Sequence, residues 1–441
     1  MSDVNRPGGS MTEITPFHGL RYDATAVSGS DVIAPPYDVV SEADVAALLG
    51  RSPYNIAHIE SVPGTGDEKY MIAADMLRAW EASGVLRRDG APVYYAYEQR
   101  FAVPGQDRTE TRRVFFARLR ISPREDGIVR PHEATLSAAK ADRLKLLQAT
   151  RTNVSPIFAM FADPTRAASK ILEQIAATPA AFTATDGRGD EHRLWVIDDP
   201  AQIDALTRAV AASPATIADG HHRYETALNN LREREADGSV TDDDRYLLAG
   251  FVAQEEPGLI VLPIHRLIRA GAVPADLRTR LDALYTVEDC GAADSAEAAD
   301  ALWSRVQAAP AGTPTFGAIG LEPGRLSLLS AKQPAVANAM PANLSNASSS
   351  LEVLILNNTV LESVLGLDAV ARAAGEHIAF SESVPEVWHA VHSGEFALAF
   401  LVRPVRVAEI VAIADQAELL PQKSTFFYPK LATGMVMNPL N

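Results

Sequence analysis

The sequence contains a single cysteine, Cys290, and no long apolar run. One cysteine cannot form an intramolecular disulfide, which indicates a reducing compartment and excludes a metal site built from several cysteines. No segment reaches the ~20 apolar residues that span a bilayer, and the N-terminus lacks the basic and then apolar pattern of a signal peptide. We therefore expect a cytoplasmic protein without a membrane partner.

Basic residues are outnumbered, because 40 Lys and Arg face 56 Asp and Glu and give a net charge of −16. This charge opposes non-specific attraction to a polyanion, so nucleic acid is a disfavoured partner. The hydrophobic fraction of 47% and the charged fraction of 22% are typical of a globular protein. The chain exceeds the roughly 250–300 residues at which one core stops growing, so two or three domains are expected.

The order of segments along the chain predicts an α/β (α+β) fold. Residues 1–11 are polar and Gly-rich, and we expect a disordered tail there. Three antiparallel hairpins are predicted, one from PVYYAYEQRFAVPG with TETRRVFFARLRIS, one from TFGAIGLEPGRLSLLSA and one from FTATDGRGDEHRLWVIDD. We assign residues 12–275 to a first domain and residues 276–441, with their βαβα pattern, to a smaller C-terminal α/β domain.

The segment ADGHHRYETAL, residues 218–228, is the strongest functional motif. The strand-like run ATIAD meets Gly220, and the helix that follows carries Tyr224, Leu228 and Leu231 on one stripe. The first N–H groups of a helix lack internal partners, so this strand-to-helix corner favours an anion.

The residue types at this corner fit phosphate. Gly220 permits close backbone approach, and His221, His222 and Arg223 add donors, of which Arg223 can form two parallel bonds to phosphate oxygens. Asp219 indicates a bound cation or a hydroxyl that gives up its proton. Two other interpretations stay open. Asp219 caps the helix while Arg223 pairs with a carboxylate, or the histidine pair binds zinc, which adjacent side chains do not readily do.

GHHRYETA is similar to the GCHRYEA box of sulfiredoxins, the GERR box of ParB proteins and the DGHTR box of archaeal free-serine kinases, which share one nucleotide-binding fold. The resemblance implies a ParB/sulfiredoxin-like mixed-sheet core in which Gly220, His222 and Arg223 touch phosphates of ATP, ADP or CTP. Asp219 corresponds to the catalytic-site Asp of the kinases. Sulfinic-acid reduction is excluded, because His221 stands where sulfiredoxins need cysteine.

The whole chain also resembles a bacterial family of unknown function that is often labelled ParB-like. The resemblance lies in APPYDVV, RPHEATL, ADGHHRYETAL and KSTFFYPKLATG. The family supplies no established reaction, but its association with serine-biosynthesis neighbourhoods implies serine or phosphoserine as substrate.

A second polar cluster lies in RPHEATLSAAKADRLKLL, which is either an exposed loop before a basic helix start or part of a site. In the functional interpretation Glu133 is the general base toward a substrate hydroxyl, while basic residues neutralise the transferred phosphoryl group. The free-serine kinases have a Glu upstream of the box, and the resemblance equates it with Glu133 at a longer spacing. The candidates are Arg130, Lys140 and Arg143 for phosphate and His132 and Thr135 for substrate.

Further candidate substrate-binding residues lie in four other segments, namely the proline-rigidified loop APPYD, the predicted strand NIAHIE, the strand end after LIVLPI, and the C-terminal KSTFFYPKLATG. Each segment also has a structural interpretation: a turn for APPYD, a partly buried edge strand for NIAHIE, a satisfied buried histidine after LIVLPI and a hydrophobic strap for KSTFFYPKLATG. The candidates are Tyr37, Asp38, Asn55, His58, His265, Arg266 and Lys423.

We predict a nucleotide-dependent phosphotransferase that uses ATP or ADP with Mg²⁺ on a small hydroxyl compound, free serine being favoured. Asp219, Glu133, His221 and His222 are the catalytic candidates. In reverse, or with water as acceptor, the site would consume phosphoserine. Two alternatives stay open, a nucleotide-free phosphoserine phosphatase with a histidine nucleophile and a ParB-like nucleotide-switched regulator. The sequence does not identify the phosphoryl acceptor, the nucleotide or the oligomeric state, and a homodimer is one of the states it allows.

Overall fold

The computed structural model describes residues 11–64, 66–134 and 137–440. The predicted disordered tail, residues 1–11, lies outside the described residues except for Met11. The described residues form two compact units. The first unit comprises residues 11–131, 137–260 and 429–440, and the second comprises residues 132–134 and 261–428.

The strands are numbered in chain order. They are β1 (Ile14–Thr15), β2 (Leu20–Tyr22), β3 (Leu86–Arg88), β4 (Tyr94–Ala102), β5 (Thr109–Arg120), β6 (Val129–Arg130), β7 (Thr152–Asn153), β8 (Ile157–Phe161), β9 (Phe182–Thr185), β10 (Glu191–Ile197), β11 (Ala215–Asp219), β12 (Tyr246–Ala253), β13 (Ile260–Leu262), β14 (His265–Ile268), β15 (Tyr285–Ala292), β16 (Thr315–Ile319), β17 (Arg325–Ala331), β18 (Ile378–Ser381), β19 (Leu398–Leu401), β20 (Phe426–Tyr428) and β21 (Asn438–Pro439).

The helices are numbered in the same way. They are α1 (Gly29–Val32), α2 (Glu42–Arg51), α3 (Ala57–Glu60), α4 (Glu68–Ala82), α5 (Ser137–Thr150), α6 (Ala167–Ala176), α7 (Pro200–Ala211), α8 (His221–Ala236), α9 (Leu277–Leu284), α10 (Ala296–Ala308), α11 (Ala335–Ala339), α12 (Asn346–Ser349), α13 (Glu352–Ile355), α14 (Ala369–Ala374), α15 (Val384–His392) and α16 (Val407–Asp415). Short 3₁₀ helices lie at Tyr37–Val39, Arg124–Asp126, Asp243–Arg245 and Ala270–Ala272, and a π-helix spans Leu356–Glu362.

The first unit is built on a nine-stranded sheet in the order β6-β11-β8-β12-β5-β4-β10-β9, with β1 paired to β5. The pairs β6/β11 and β8/β12 are parallel, whereas β4 and β5 form the predicted antiparallel hairpin. The sheet is therefore mixed, and the predicted α/β (α+β) class is confirmed.

Helix α8 packs against this sheet through the stripe that its sequence predicts. Tyr224, Ala227 and Leu231 are buried in the same core cluster as the sheet residues Phe115 and Ile217, and Leu228 packs at its edge. Burying a side chain such as Leu231 contributes roughly 1.5–3 kcal/mol, so the stripe fixes the direction in which α8 leaves the sheet.

The second unit has a six-stranded sheet in the order β15-β17-β16-β19-β14-β18. Every pairing in it is antiparallel, and β16 with β17 forms the second predicted hairpin. Alternate residues of β14 face different cores, because Leu267 belongs to one apolar cluster and Ile268 to the other. This alternation is what a sheet covered on both faces requires.

The strand predicted for NIAHIE is wrong, because Ala57–Glu60 forms helix α3. Asn55 explains the difference. Its side-chain oxygen accepts the Ala57 N–H at 3.0 Å, and its amide donates to the Asp31 and Ile33 carbonyls at 2.7 and 3.1 Å. Such local bonds favour a turn over a strand.

None of the helices within the described ranges is both long and apolar enough to cross a membrane.

Candidate functional site

The predicted strand-to-helix corner is confirmed. Strand β11 ends at Asp219, Gly220 is the N-cap, and α8 begins at His221. Gly220 has φ 87° and ψ 27°, in the left-handed region. A Cβ atom there would lie 3.1 Å from Arg223 Nε and 3.1 Å from Ile157 Cγ2. The glycine therefore permits both the turn and the approach of Arg223 to the backbone.

The Asp219 carboxylate lies between two cations. Its Oδ2 accepts a hydrogen bond from Arg223 Nη2 at 3.0 Å, and its Oδ1 forms an ion pair with Lys430 Nζ. The three side chains are between 10% and 17% exposed. Burial raises the pKa of Asp219, but the charges of Lys430 and Arg223 outweigh it and hold this pKa well below its usual range. Asp219 is therefore an ionised carboxylate rather than a helix cap.

Both terminal nitrogens of the Arg223 guanidinium donate hydrogen bonds. Nη1 donates to the Pro156 carbonyl while Nη2 binds Asp219. Burial lowers the pKa of Arg223, but the charges of Asp219, Asp38 and Tyr37 raise it above its ordinary value. The corner thus presents a held, permanently positive group beside the first turn of α8.

Tyr37 and Arg143 lie in the same neighbourhood. The Arg143 guanidinium carbon is 4.2 Å from the centroid of the Tyr37 ring, a cation–π contact, and its Nη1 donates to the Glu60 carbonyl at 2.8 Å. Burial, partly opposed by the charge of Arg223, raises the pKa of Tyr37 to about 12. The Tyr37 hydroxyl is therefore a hydrogen-bond donor at neutral pH.

A small cavity adjoins these groups. Its volume is about 50 Å³. The polar residues of its lining are Glu60, Arg143, Thr152, Asn153, Ser155, Arg223 and Thr226. Glu60 Oε1 accepts the Ser155 hydroxyl at 2.8 Å. A space of this size suits a few water molecules and is far smaller than the roughly 300–1,000 Å³ of ligand pockets.

Asp142 links Arg143 to helix α4. Its Oδ1 accepts bonds from Lys69 Nζ at 2.9 Å and from the Tyr70 hydroxyl at 2.7 Å, while its Oδ2 accepts from Arg143 Nε at 2.9 Å. Burial raises the pKa of Asp142, but these donors outweigh it and hold the pKa well below its usual range. The network orients Arg143 toward Tyr37.

The other candidates of the first unit lie apart from this arrangement or beside it. Arg130 is on β6, where it is the register partner of Thr216, and its Nε donates to the Gly127 carbonyl at 2.8 Å. Asn55 is fully buried with its amide bonded to the backbone, and His58 Nε2 lies 3.1 Å from the Ser52 carbonyl. His221 is buried and His222 half-buried at the start of α8.

Five candidates belong to the second unit. His132 is fully buried, with Nε2 2.9 Å from Thr425 Oγ1, and Glu133 forms a parallel bridge with Leu420. Arg266 is buried and donates to the carbonyl of the exposed Lys423 at 3.3 Å.

His265, beside Arg266, is also buried. Burial, with the charge of Arg266, lowers the pKa of His265 to about 3, so its ring is neutral at pH 7. Its Nδ1 accepts the Val402 N–H at 3.3 Å.

Thr135 and the Lys140 side chain lie outside the described part of the chain. The first unit brings together seven of the candidate residues: Tyr37, Asp38, Arg143, Asp219, Gly220, His221 and Arg223.

Lys430, Glu60 and Asp142 complete the arrangement, although the sequence assigns none of them a catalytic or binding role. Two of them stand in segments with functional signals, Lys430 in KSTFFYPKLATG and Glu60 in NIAHIE, and Asp142 immediately precedes the candidate Arg143. Residue type alone does not distinguish a single lysine or carboxylate of a site from the many that lie at a protein surface.

Magnesium was expected with the nucleotide. Within the described ranges, no three His, Cys, Asp or Glu side chains are grouped so as to hold a metal ion. Magnesium is usually held by one or two carboxylates together with substrate phosphates, so Asp219 fits such a role only if one of its two cations releases it.

The sequence matches the family described as "Protein of unknown function (DUF1015)" over residues 14–353, so the chain belongs to this family. No curated protein sequence matches it.

Two kinds of solved structure are similar to the chain. A conserved hypothetical protein from Pyrococcus furiosus is 13% identical, with a TM-score of 0.31, 72% of this chain and 93% of that chain covered. A free serine kinase in complex with AMP is 12% identical, with a TM-score of 0.32, 71% of this chain and 86% of that chain covered. A mutant free serine kinase in complex with ADP is 10% identical, with a TM-score of 0.32, and the coverage is 74% and 92%.

Proposed function

We propose that the corner at residues 219–223 binds the phosphate groups of a nucleotide and that the protein is a nucleotide-dependent phosphotransferase. The observation that carries the proposal is the pair of held cations, Arg223 and Lys430, on either side of an ionised Asp219 at the first turn of α8. These two cations and the positive end of the helix dipole favour an anion at the corner, and phosphate suits such a helix N-terminus. The carboxylates of Asp38 and Glu60 also act on Arg223.

Free serine is the acceptor that we favour, and this choice rests on the resemblance of ADGHHRYETAL to the DGHTR box of free-serine kinases. The serine hydroxyl oxygen would form a bond to the terminal phosphorus of ATP or ADP while the bridging P–O bond breaks. The products are phosphoserine and the shortened nucleotide, and the hydroxyl proton passes to a base.

Asp219 is poorly suited to be that base while both cations hold it, because its lowered pKa makes it a weak proton acceptor. We assign Asp219 to charge stabilisation, either of magnesium held with the phosphates or of the hydroxyl that attacks. Magnesium, when bound, neutralises charge on the phosphate oxygens. The assignment of Glu133 as the general base rests on the resemblance to the free-serine kinases alone.

The test is to incubate the purified chain with serine, Mg²⁺ and either ATP or ADP, and to measure phosphoserine by mass spectrometry. We expect phosphoserine with the wild-type chain and a loss of about 100-fold or more in Asp219→Asn, the size typical of a lost transition-state charge contact. The control is Asp204→Asn, which changes an exposed carboxylate of α7.

Nucleotide binding without phosphoryl transfer in either direction contradicts the proposed reaction. Release of inorganic phosphate from phosphoserine in the absence of nucleotide indicates the phosphatase alternative instead.

A further inference from the structure

Lys430 reaches the corner from a distant part of the sequence, 211 residues after Asp219. Its side chain is only 10% exposed, and its ammonium pairs with the Asp219 oxygen opposite the one that Arg223 binds. One cation is enough to neutralise a single carboxylate. Lys430 is thus a second cation on a carboxylate that Arg223 already binds.

The backbone on both sides of Lys430 is held by buried polar side chains of β4 and β5. Gln99 Nε2 donates to the Lys430 carbonyl at 2.9 Å, and Arg112 Nη2 donates to the Pro429 carbonyl. The Tyr97 hydroxyl lies 3.4 Å from the Ala432 N–H. These contacts fix the position of the Lys430 backbone and therefore the point from which its side chain extends.

Arg112 shows how closely this segment is fixed. It is fully buried, its Nη2 also contacts Gln99 Oε1, and its guanidinium carbon lies 4.8 Å from the centroid of the Phe158 ring. A buried guanidinium destabilises a fold unless its hydrogen bonds are made. Its bond to the carbonyl that precedes Lys430 therefore holds this segment against β5.

We propose that Lys430 is a phosphate-binding residue of the corner and that Gln99 and Arg112 are positioning residues for it. This inference rests on the proposed function, and the ligand it implies is a nucleoside diphosphate or triphosphate. When the nucleotide binds, the ammonium moves from Asp219 to a phosphate oxygen, while Arg223 keeps its hold on Asp219. A compact ammonium on a flexible stem suits this exchange better than a planar guanidinium does.

The test measures the Kd of ADP by isothermal titration calorimetry, with the full chain and with EDTA present. We expect Lys430→Met to raise Kd about tenfold or more, since a hydrogen bond to a charged group is lost, and Lys430→Arg to restore only part of the affinity, because the guanidinium is planar and bulkier. Lys170→Met, at an exposed position of α6, is the matched control and keeps the wild-type Kd.

The double variant Asp219→Asn with Lys430→Met separates direct binding from charge balance. If Lys430 contacts phosphate, affinity stays low in the double variant. Recovery of wild-type affinity means that Lys430 only neutralises Asp219, and it overturns the inference while the proposed function stands. If the wild-type chain binds no ADP with or without Mg²⁺, both are overturned.

The positioning role is tested with Gln99→Met in two backgrounds. We expect this change to raise the Kd of ADP about threefold in the wild-type chain and not at all in Lys430→Met, because the two residues act through one contact. A merely structural role would lower the affinity equally in both backgrounds. Tyr97→Phe, which removes only a hydroxyl, provides the same comparison if Gln99→Met does not fold.

Discussion

Position 220 needs a left-handed backbone conformation and also space beside the backbone for Arg223, and a residue with a Cβ does not meet both. Its φ of 87° lies in the left-handed region, and the space where a Cβ would stand is bordered by the Arg223 side chain. The left-handed conformation costs a residue with a Cβ roughly 1–2 kcal/mol, while a displaced guanidinium no longer spans Asp219 and the Pro156 carbonyl.

We expect Gly220→Ala to lower the free energy of unfolding by about 1–2 kcal/mol and to weaken ADP binding by at least about tenfold. Urea denaturation and calorimetric titration measure the two effects. Gly238→Ala is the matched control, because Gly238 also has a positive φ, 76°, but has open space where its Cβ would stand. The control loses similar stability and keeps its ADP affinity. Equal ADP affinities in the two variants would refute the role given to position 220.

At this scale the sequence predicts what lies close together along the chain. Asp219, Gly220 and Arg223 fall within one turn, so residue type and helical geometry place them. The partner on the other side of Asp219 comes from position 430, and no periodicity relates residues that are 211 positions apart. The same reasoning applies to Tyr37 and Arg143, whose contact depends on how distant elements pack.

At the scale of the elements, helix α8 makes side-chain hydrogen bonds to other elements near both of its ends. Near its start the Tyr224 hydroxyl donates to the Ser122 carbonyl at 2.7 Å and accepts the Ser122 N–H at 3.0 Å. Near its end Arg234 Nε donates to Asp244 Oδ2 at 2.9 Å, and Arg151 binds the other oxygen of Asp244 at 2.6 Å. These contacts hold the first turn of α8, and therefore the corner, in place.

We expect Asp244→Asn to lower the free energy of unfolding at pH 7 by about 3 kcal/mol, because the change removes one partner of a buried charge network. The Asp244 side chain is fully buried. Burial raises its pKa, but the hydrogen bonds from Arg151, Thr241 and Arg234 hold this pKa well below the usual range.

The pH dependence of this difference follows from the sign of the shift. A folded-state pKa below the unfolded value of about 4 means that the stabilisation is complete above pH 4 and disappears as the pH falls toward the folded-state value. Urea denaturation of both chains between pH 7 and pH 3 should show the gap closing only below about pH 4. A gap that is constant over this range contradicts the assignment.

Local side-chain bonding decides whether a short segment follows its hydrophobic pattern. The three predicted hairpins are confirmed although β9 has four residues and β16 has five. NIAHIE has six residues, but the hydrogen bonds of Asn55 outweigh its apolar pattern and produce helix α3. Local side-chain bonding of this kind is invisible to a hydrophobic pattern.

At the scale of the whole molecule, composition and periodicity do not predict to which unit each part of the chain belongs. Residues 429–440 belong to the first unit although they follow the second unit in the sequence. Their backbone pairs with β2 at Met437 and with β7 at Asn438, and Thr433 exchanges hydrogen bonds with Ala34. The segment that carries Lys430 is thus an integral part of the first unit's fold.

A chain truncated after Tyr428 should therefore lose the fold of the first unit together with ADP binding. Besides the buried Ala432, the missing segment contributes five large, well-buried apolar side chains, those of Leu431, Met435, Val436, Met437 and Leu440. At roughly 1.5–3 kcal/mol each, their loss is comparable with the whole stability of a typical domain, about 5–15 kcal/mol. Calorimetry should show the unfolding transition of the first unit disappear while that of the second unit remains. A synthetic peptide of residues 429–440, added in excess, should restore part of the first transition, because a ligand that binds only the folded form stabilises it.

A truncated chain with wild-type transitions and wild-type ADP affinity would show that neither the fold nor the site depends on this segment.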